Sequence, residues 1–144
     1  MRIFLENERA PSWNTYYSGK HWAKRKKMAD EKHLLVRAHL DPNANPFEGP
    51  VAITLIATYK HHPVDSCNIM AKVYTDGLIG WVIEDDDMRY VTSTTCIPVL
   101  GDENSVEILI EEVPSVRMIP KDWDPDYEGY DPMEDEEYQA YLNS

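Results

Sequence analysis

The residues best suited to chemistry lie between Asp65 and Asp87. Asp65 opens this stretch, Asn68, Lys72 and Asp76 follow at intervals of four, and Glu84-Asp85-Asp86-Asp87 closes it. Carboxylates gathered from two chain segments repel one another, and a divalent cation between them relieves the repulsion. Asp65 and the Asp85–Asp87 run are hard oxygen donors of the kind that bind Mg²⁺ or Mn²⁺. One or two such ions can activate water and stabilise an in-line displacement at a phosphodiester. Lys72 would offset negative charge on the pentacovalent phosphate. The plain alternative is that Asp85–Asp87 forms an acidic turn and nothing more.

These groups need an element that presents them together. On a helical wheel, Asn68, Ala71, Lys72, Thr75 and Asp76 share one side, and Ile69, Met70, Val73, Tyr74, Gly77 and Leu78 share the other. The pattern predicts one amphipathic helix over 68–78, with its apolar side against a sheet. The clearest strand is 51–60, where Val51, Ile53, Leu55, Ala57 and Tyr59 alternate onto one face. Residues 1–7 read as a short strand with Ile3 and Leu5 inward, and 89–99 and 104–113 as two more strands around Gly101-Asp102-Glu103-Asn104. This last pair predicts an antiparallel hairpin. Residues 20–40 lack Gly and Pro and read as a helix, with Met28, Leu34, Leu35 and Ala38 supplying its apolar side. Residues 41–50, with Pro42, Pro46, Gly49 and Pro50, read as a connector. The order is β-α-β-α-β-β, an α+β domain with a small mixed sheet and helices packed on it.

The chain has 144 residues, enough for one domain with a real core. No apolar run approaches the roughly 20 residues of a membrane span. No export signal is visible at the N-terminus, and Cys67 and Cys96 suggest neither a disulfide framework nor a zinc site, which favours a reducing cytoplasm. The net charge of −12 is unevenly spread. Residues 114–144 hold nine acidic and two basic residues and contribute −7, leaving −5 for the other 113. Within these, Lys20 to Arg37 carries seven Lys or Arg against Asp30 and Glu31. Such a run is ordinarily a solvated face; the sharper reading is phosphate contact, which screening to about 10 Å permits even in an acidic protein.

The preceding stretch, 8–19, reads as a loop rich in Pro, Ser, Asn and aromatic residues that could touch a ligand, although Trp13 and Tyr16 would more simply pack on the core. His61 and His62 are adjacent at a strand end, point to opposite sides, and read as surface residues.

The ordered set Asp65-x-x-Asn68, Lys72, Asp76-Gly77-Leu78, an apolar stretch and an Asp pair resembles the RusA-like Holliday-junction resolvases. The run Pro11-Ser12-Trp13-Asn14-Thr15-Tyr16 resembles that family's N-terminal signature, and the basic helix follows in the corresponding place. The resemblance covers roughly residues 3–113. It implies a homodimeric, magnesium-dependent endonuclease that makes paired nicks in branched DNA, with manganese able to substitute, and a role in recombination or repair. It further implies Asp65, Lys72 and Asp86 as catalytic residues and Asp65, Asp85 and Asp86 as metal ligands, with Asp86 and Asp87 as an alternative register for the later pair. DNA would be met by Asn14, Tyr16, Lys20, Lys24, Arg25, Lys26, Lys27 and Asn68.

Two positions depart from the family pattern. Cys67 stands where the family has a second aspartate, and the spacing from Asn68 to Lys72 is one residue longer. A thiol is a poor magnesium ligand, so Asp76 or Asp87 would have to replace it. The alternative is a catalytically inactive protein that binds junctions.

From Pro114 the composition becomes acidic, aromatic and punctuated by Pro and Gly, and 114–144 reads as an appendage to the 1–113 domain. Its carboxylates could contact the chain's own basic run, or the partner subunit, or serve solubility alone.

Overall fold

The computed structural model describes residues 1–19 and 21–113, together with Ala140 and Asn143. Four strands form one mixed sheet in the order β1-β4-β2-β3, where β1 is Arg2–Glu6, β2 is Val51–Tyr59, β3 is Val91–Leu100 and β4 is Ser105–Glu112. Strand β2 runs parallel to β3 and antiparallel to β4, and β1 closes the other edge antiparallel to β4. The helices are α1 (Trp13–Tyr17), α2 (Trp22–Arg37) and the single turn α3 (Lys72–Thr75). The α+β class and the four expected strands are present.

The alternation read from the sequence sets the core. Val51, Ile53, Leu55, Ala57 and Tyr59 are buried along β2, Val106, Ile108 and Ile110 along β4, and Ile3 and Leu5 along β1. Each large aliphatic side chain so buried contributes about 1.5–3 kcal/mol. Val36 of α2 and Val73, Tyr74 and Leu78 complete the same cluster. Alternate residues Ala52, Thr54, Ile56 and Thr58 are only half-buried on the opposite side of β2.

Strands β3 and β4 do not form the expected hairpin; they flank β2 on opposite sides. Their connection crosses the end of β2. The Gly101 amide donates to the Tyr59 carbonyl at 3.1 Å, and the Lys60 amide donates to Asn104 Oδ1 at 2.9 Å. A Cβ on Gly101 would lie 2.6 Å from Thr58 Cγ2, so glycine permits the crossing. A local turn signal marks a reversal of the chain. It does not say which strand fills the space between, and here the two-sided hydrogen bonding of β2 decides it.

Two other readings are corrected. The stretch 8–19 contains helix α1, started by Ser12, whose Oγ accepts from the Thr15 amide at 3.1 Å. In α2, Leu34 is exposed, Met28 and Leu35 are half-buried, and Val36 is the one fully buried residue. The helix is short of apolar residues and turns most of its length to solvent; Val36 is its deepest contact, with Ala29 and Leu35 packed against the core beside it. Lys20 and nearly all of the acidic tail lie outside the described residues, as do the readings placed on them. Among the described residues no helix is long and apolar enough to cross a membrane.

Candidate functional site

Residues 68–78 do not form the one amphipathic helix expected. Asp65 starts a 3₁₀ turn over Ser66–Asn68, α3 follows, and a second 3₁₀ turn covers Asp76–Leu78. Asp65 explains the first break: its side chain accepts from the Asn68 amide at 3.0 Å, which favours a tight local turn over helix propagation. Ile69 then forms an isolated antiparallel bridge with Ser12, and its extended backbone interrupts the helix. The wheel still holds for the outer groups: Lys72 is exposed and Asn68 and Asp76 are half-buried, while Ile69, Met70, Val73, Tyr74 and Leu78 are buried. Ala71 and Thr75 are buried too, against expectation, because the broken helix tucks its small residues inward.

Gly77 sits where the second turn meets α2. A Cβ there would lie 3.2 Å from both His33 Cα and Val36 Cβ. The Arg37 Nε donates to the Gly77 carbonyl at 3.2 Å and fastens the contact. The small residue after Asp76 is thus a packing requirement that fixes Asp76 against α2.

The structure brings Lys72, Asp76 and Asp86 together. Lys72 Nζ donates to Asp76 Oδ1 at 3.1 Å and lies 3.5 Å from Asp86 Oδ2. The hydrogen bond to Asp76 raises the Lys72 pKa, helped by the charges of Asp76 and Asp86 and opposed by partial burial. Lys72 is therefore held as an ammonium, suited to charge stabilisation and unsuited to act as a base. Exposed i,i+4 pairs such as Lys72–Asp76 contribute only about 0.3–0.5 kcal/mol to stability.

Asp65, Asp85 and Asp87 are engaged elsewhere. Asp65 caps its turn, and Asn68 Oδ1 accepts from the Asn14 amide at 3.3 Å, linking the 65–68 turn to α1. Asp85 accepts from the Asp86 amide at 2.8 Å, which orients the acidic loop. Asp87 forms a two-point pair with Arg89, at 2.7 and 3.0 Å, that holds its carboxyl down at about 2. Among the described residues no group of three or more His, Cys, Asp or Glu is gathered as a metal cage. Cys67 is an exposed free thiol, and Cys96 is a half-buried one whose pKa burial raises. His61 and His62 are exposed, as expected, and their carbonyls accept from Arg9 at 2.8 and 2.9 Å.

The basic run divides by face. Lys24 and Lys27 line an open groove of about 420 Å³ with Arg9, Pro11, Met28, Glu31 and Lys32. Lys26 points elsewhere and pairs with Asp30 at 2.8 Å. Arg25 lies over the Tyr17 ring, 5.3 Å from its centre, and its carbonyl accepts from the Tyr16 hydroxyl at 3.3 Å. These basic residues occupy the N-terminal half of α2, where the helix dipole is also positive. Lys32 is less available than its charge suggests, since it pairs with the buried carboxylate of Glu8.

Arg9 and Lys32 of the groove and Tyr17 of the aromatic cluster lie within stretches the sequence marks for ligand contact, but are not among the individual DNA-contact residues expected from it. A helix signal for Tyr17 was present: Ser12 is a helix-starting residue, and Tyr17 follows Trp13 at a spacing of four. Arg9 carried no such signal, because only the packing of the β1–α1 connection beside α2 makes it a neighbour of Lys24. Comparison of the chain with protein-family models, curated proteins and solved structures finds no significant match.

Proposed function

We propose that this protein is a magnesium-dependent, structure-selective endonuclease acting on four-way or other branched DNA. The observation that carries the reading is the convergence of the Lys72 ammonium on the Asp76 and Asp86 carboxylates, on the same domain as a basic groove. The ordered motif resemblance to the RusA-like resolvases points the same way.

Magnesium commonly uses one or two protein carboxylates and completes its shell with water and substrate phosphate oxygens. Asp76 and Asp86 fit that requirement, both within reach of one ammonium, and Asp76 is a better substitute for the missing ligand at Cys67 than the Arg89-paired Asp87. Bound there, the ion would polarise the phosphodiester and supply a more acidic water. Lys72 would turn from the carboxylates toward the phosphate and offset charge as it builds on the phosphorus. Asp85 would hold the Asp86 backbone in place. Lys24, Lys27 and Arg9 would follow the DNA backbone without reading sequence. Paired nicks in a nearly two-fold junction call for two sites, so the active species is a homodimer.

A second reading has its own support. With Cys67 at a ligand position and Asp65 committed to a turn, the chain would bind junctions without cutting them. A labelled four-way junction incubated with Mg²⁺ and then Mn²⁺ separates the two. Nicks in either metal support the nuclease; binding without nicks selects the second reading; neither binding nor nicks eliminates both. Light scattering at micromolar concentration, with and without junction DNA, tests the dimer, and a monomer under both conditions contradicts it.

A further inference from the structure

The aromatic cluster of α1 takes no part in the chemistry above, yet it opens beside Lys72. Trp13 and Tyr17 lie one turn apart with ring planes 5° from parallel and centres 5.8 Å apart. Tyr16 meets Tyr17 edge-on at 5.1 Å, and Arg25 lies against Tyr17. Together with Ala29, Met70 and Val73 these rings wall a slot of about 130 Å³, and Lys72 and Asp76 stand at it. Tyr17 remains 58% exposed. Trp13, Tyr16 and Arg25 hold that ring in a fixed orientation while more than half of the residue stays accessible.

We infer that this slot receives a single unstacked nucleobase at the branch point of the DNA. The occupant must be flat and apolar on its faces, to lie against the aromatic wall of the slot, and it must carry a negative charge beside it, to meet the Lys72 ammonium. A nucleobase with its own phosphate meets both conditions. That phosphate would then lie on the Lys72 side of the slot, among the charges that converge there. Bases inside a continuous duplex are stacked on one another and unavailable; bases at a branch are far easier to expose. Stacking on aromatic side chains tolerates any base, since every base has a π-face. The slot would thus recognise branching itself, independently of sequence. This inference rests on the nucleic-acid reading and adds to it the element that selects structure.

The test compares a four-way junction with a linear duplex of the same length, in Ca²⁺ to prevent cleavage, with 2-aminopurine at the branch. Wild-type protein should bind the junction more tightly and quench the 2-aminopurine as the base stacks on a ring. Tyr17→Ala, a change at an exposed position, should lower junction affinity about 5- to 100-fold, leave duplex affinity within about twofold, and abolish the quenching. Trp13→Ala should do the same, and Trp13→Phe should restore most of the loss. Junction affinity and quenching unchanged in folded Tyr17→Ala and Trp13→Ala would overturn the slot while leaving the nuclease reading intact. A wild-type protein that binds neither DNA would overturn both.

Discussion

Strand β2 and the outward polar groups of segment 65–87 are neighbours in the chain and are held by different forces; the segment's buried side chains, such as Val73, Tyr74 and Leu78, join the strand's own core. The strand is fixed by period-two burial: five inward residues, Val51, Ile53, Leu55, Ala57 and Tyr59, and pairing on both sides. The segment has no such repeat. It is a chain of short turns, each fixed by an individual contact: Asp65 to the Asn68 amide, Ile69 to Ser12, Gly77 against α2, Asp87 to Arg89. The lesson is a division of labour. Cooperative burial supplies the platform, and separate polar contacts set the positions of separate functional groups. A mutation of an inward residue of the strand should therefore disturb everything, whereas one at an outward polar group of the segment should disturb a single function.

The largest expected effect falls on the strand. Leu55→Ala removes a fully buried side chain from the centre of the sheet and should destabilise the fold by about 2–5 kcal/mol, seen as a lower thermal or urea midpoint. If Leu55→Ala leaves the midpoint in place, β2 is not the organising element. Next comes Lys72→Ala, which should slow single-turnover junction cleavage about 100-fold with the thermal midpoint nearly unchanged, because its exposed pairs contribute little to stability. Comparable losses of stability and activity in that variant would erase the distinction between the two regions.

Asp65 sharpens the comparison, since its side chain is committed to a turn and takes no part in the proposed Lys72–Asp76–Asp86 cluster. Asparagine caps a turn about as well as aspartate, so Asp65→Asn should keep both the fold and cleavage, while Asp65→Ala should lose about 1 kcal/mol of stability. Identical stability in the two variants would mean that the cap is unimportant. The smallest effect is a titration. The Arg89 pair holds the Asp87 carboxyl at about 2, below the ordinary value of 3.8. A carboxyl whose folded pKa is lowered stabilises the fold above its unfolded pKa, and that contribution fades as pH falls toward about 2. Arg89→Ala should return the Asp87 titration toward the ordinary carboxylate range by NMR, without changing cleavage near neutral pH. An Asp87 titration unmoved by that change would place the cause elsewhere.

The legibility of the sequence follows the same division. Ile3, Leu5, Val51 to Tyr59 and Val106 to Ile110 were readable because burial repeats along a strand. The pairing of β3 was not, because a turn at Gly101–Asn104 looks alike whether or not a third strand fills the gap. The polar order Asn68, Lys72, Asp76 was readable from spacing, and Lys72 and Asp76 do meet. Asp86 joins them from a loop 14 residues from Lys72 that carries no periodic signal. The placing of Asp65 in a cap and of Asp87 on Arg89 depends on short-range hydrogen bonds that compete with helix formation, and these do not show as a pattern of residue types.

The central claim is that the Lys72–Asp76–Asp86 cluster cuts branched DNA. The most direct measurement is single-turnover nicking of an end-labelled four-way junction in Mg²⁺ by wild-type protein and Asp86→Asn, with junction binding measured on the same samples. The expected result is paired nicks by the wild type, and an Asp86→Asn variant that binds as tightly or more tightly but no longer cuts, since it loses a ligand together with some repulsion of phosphate. Nicking by Asp86→Asn at the wild-type rate, or a wild type that binds the junction and leaves it uncut in Mg²⁺, would contradict it.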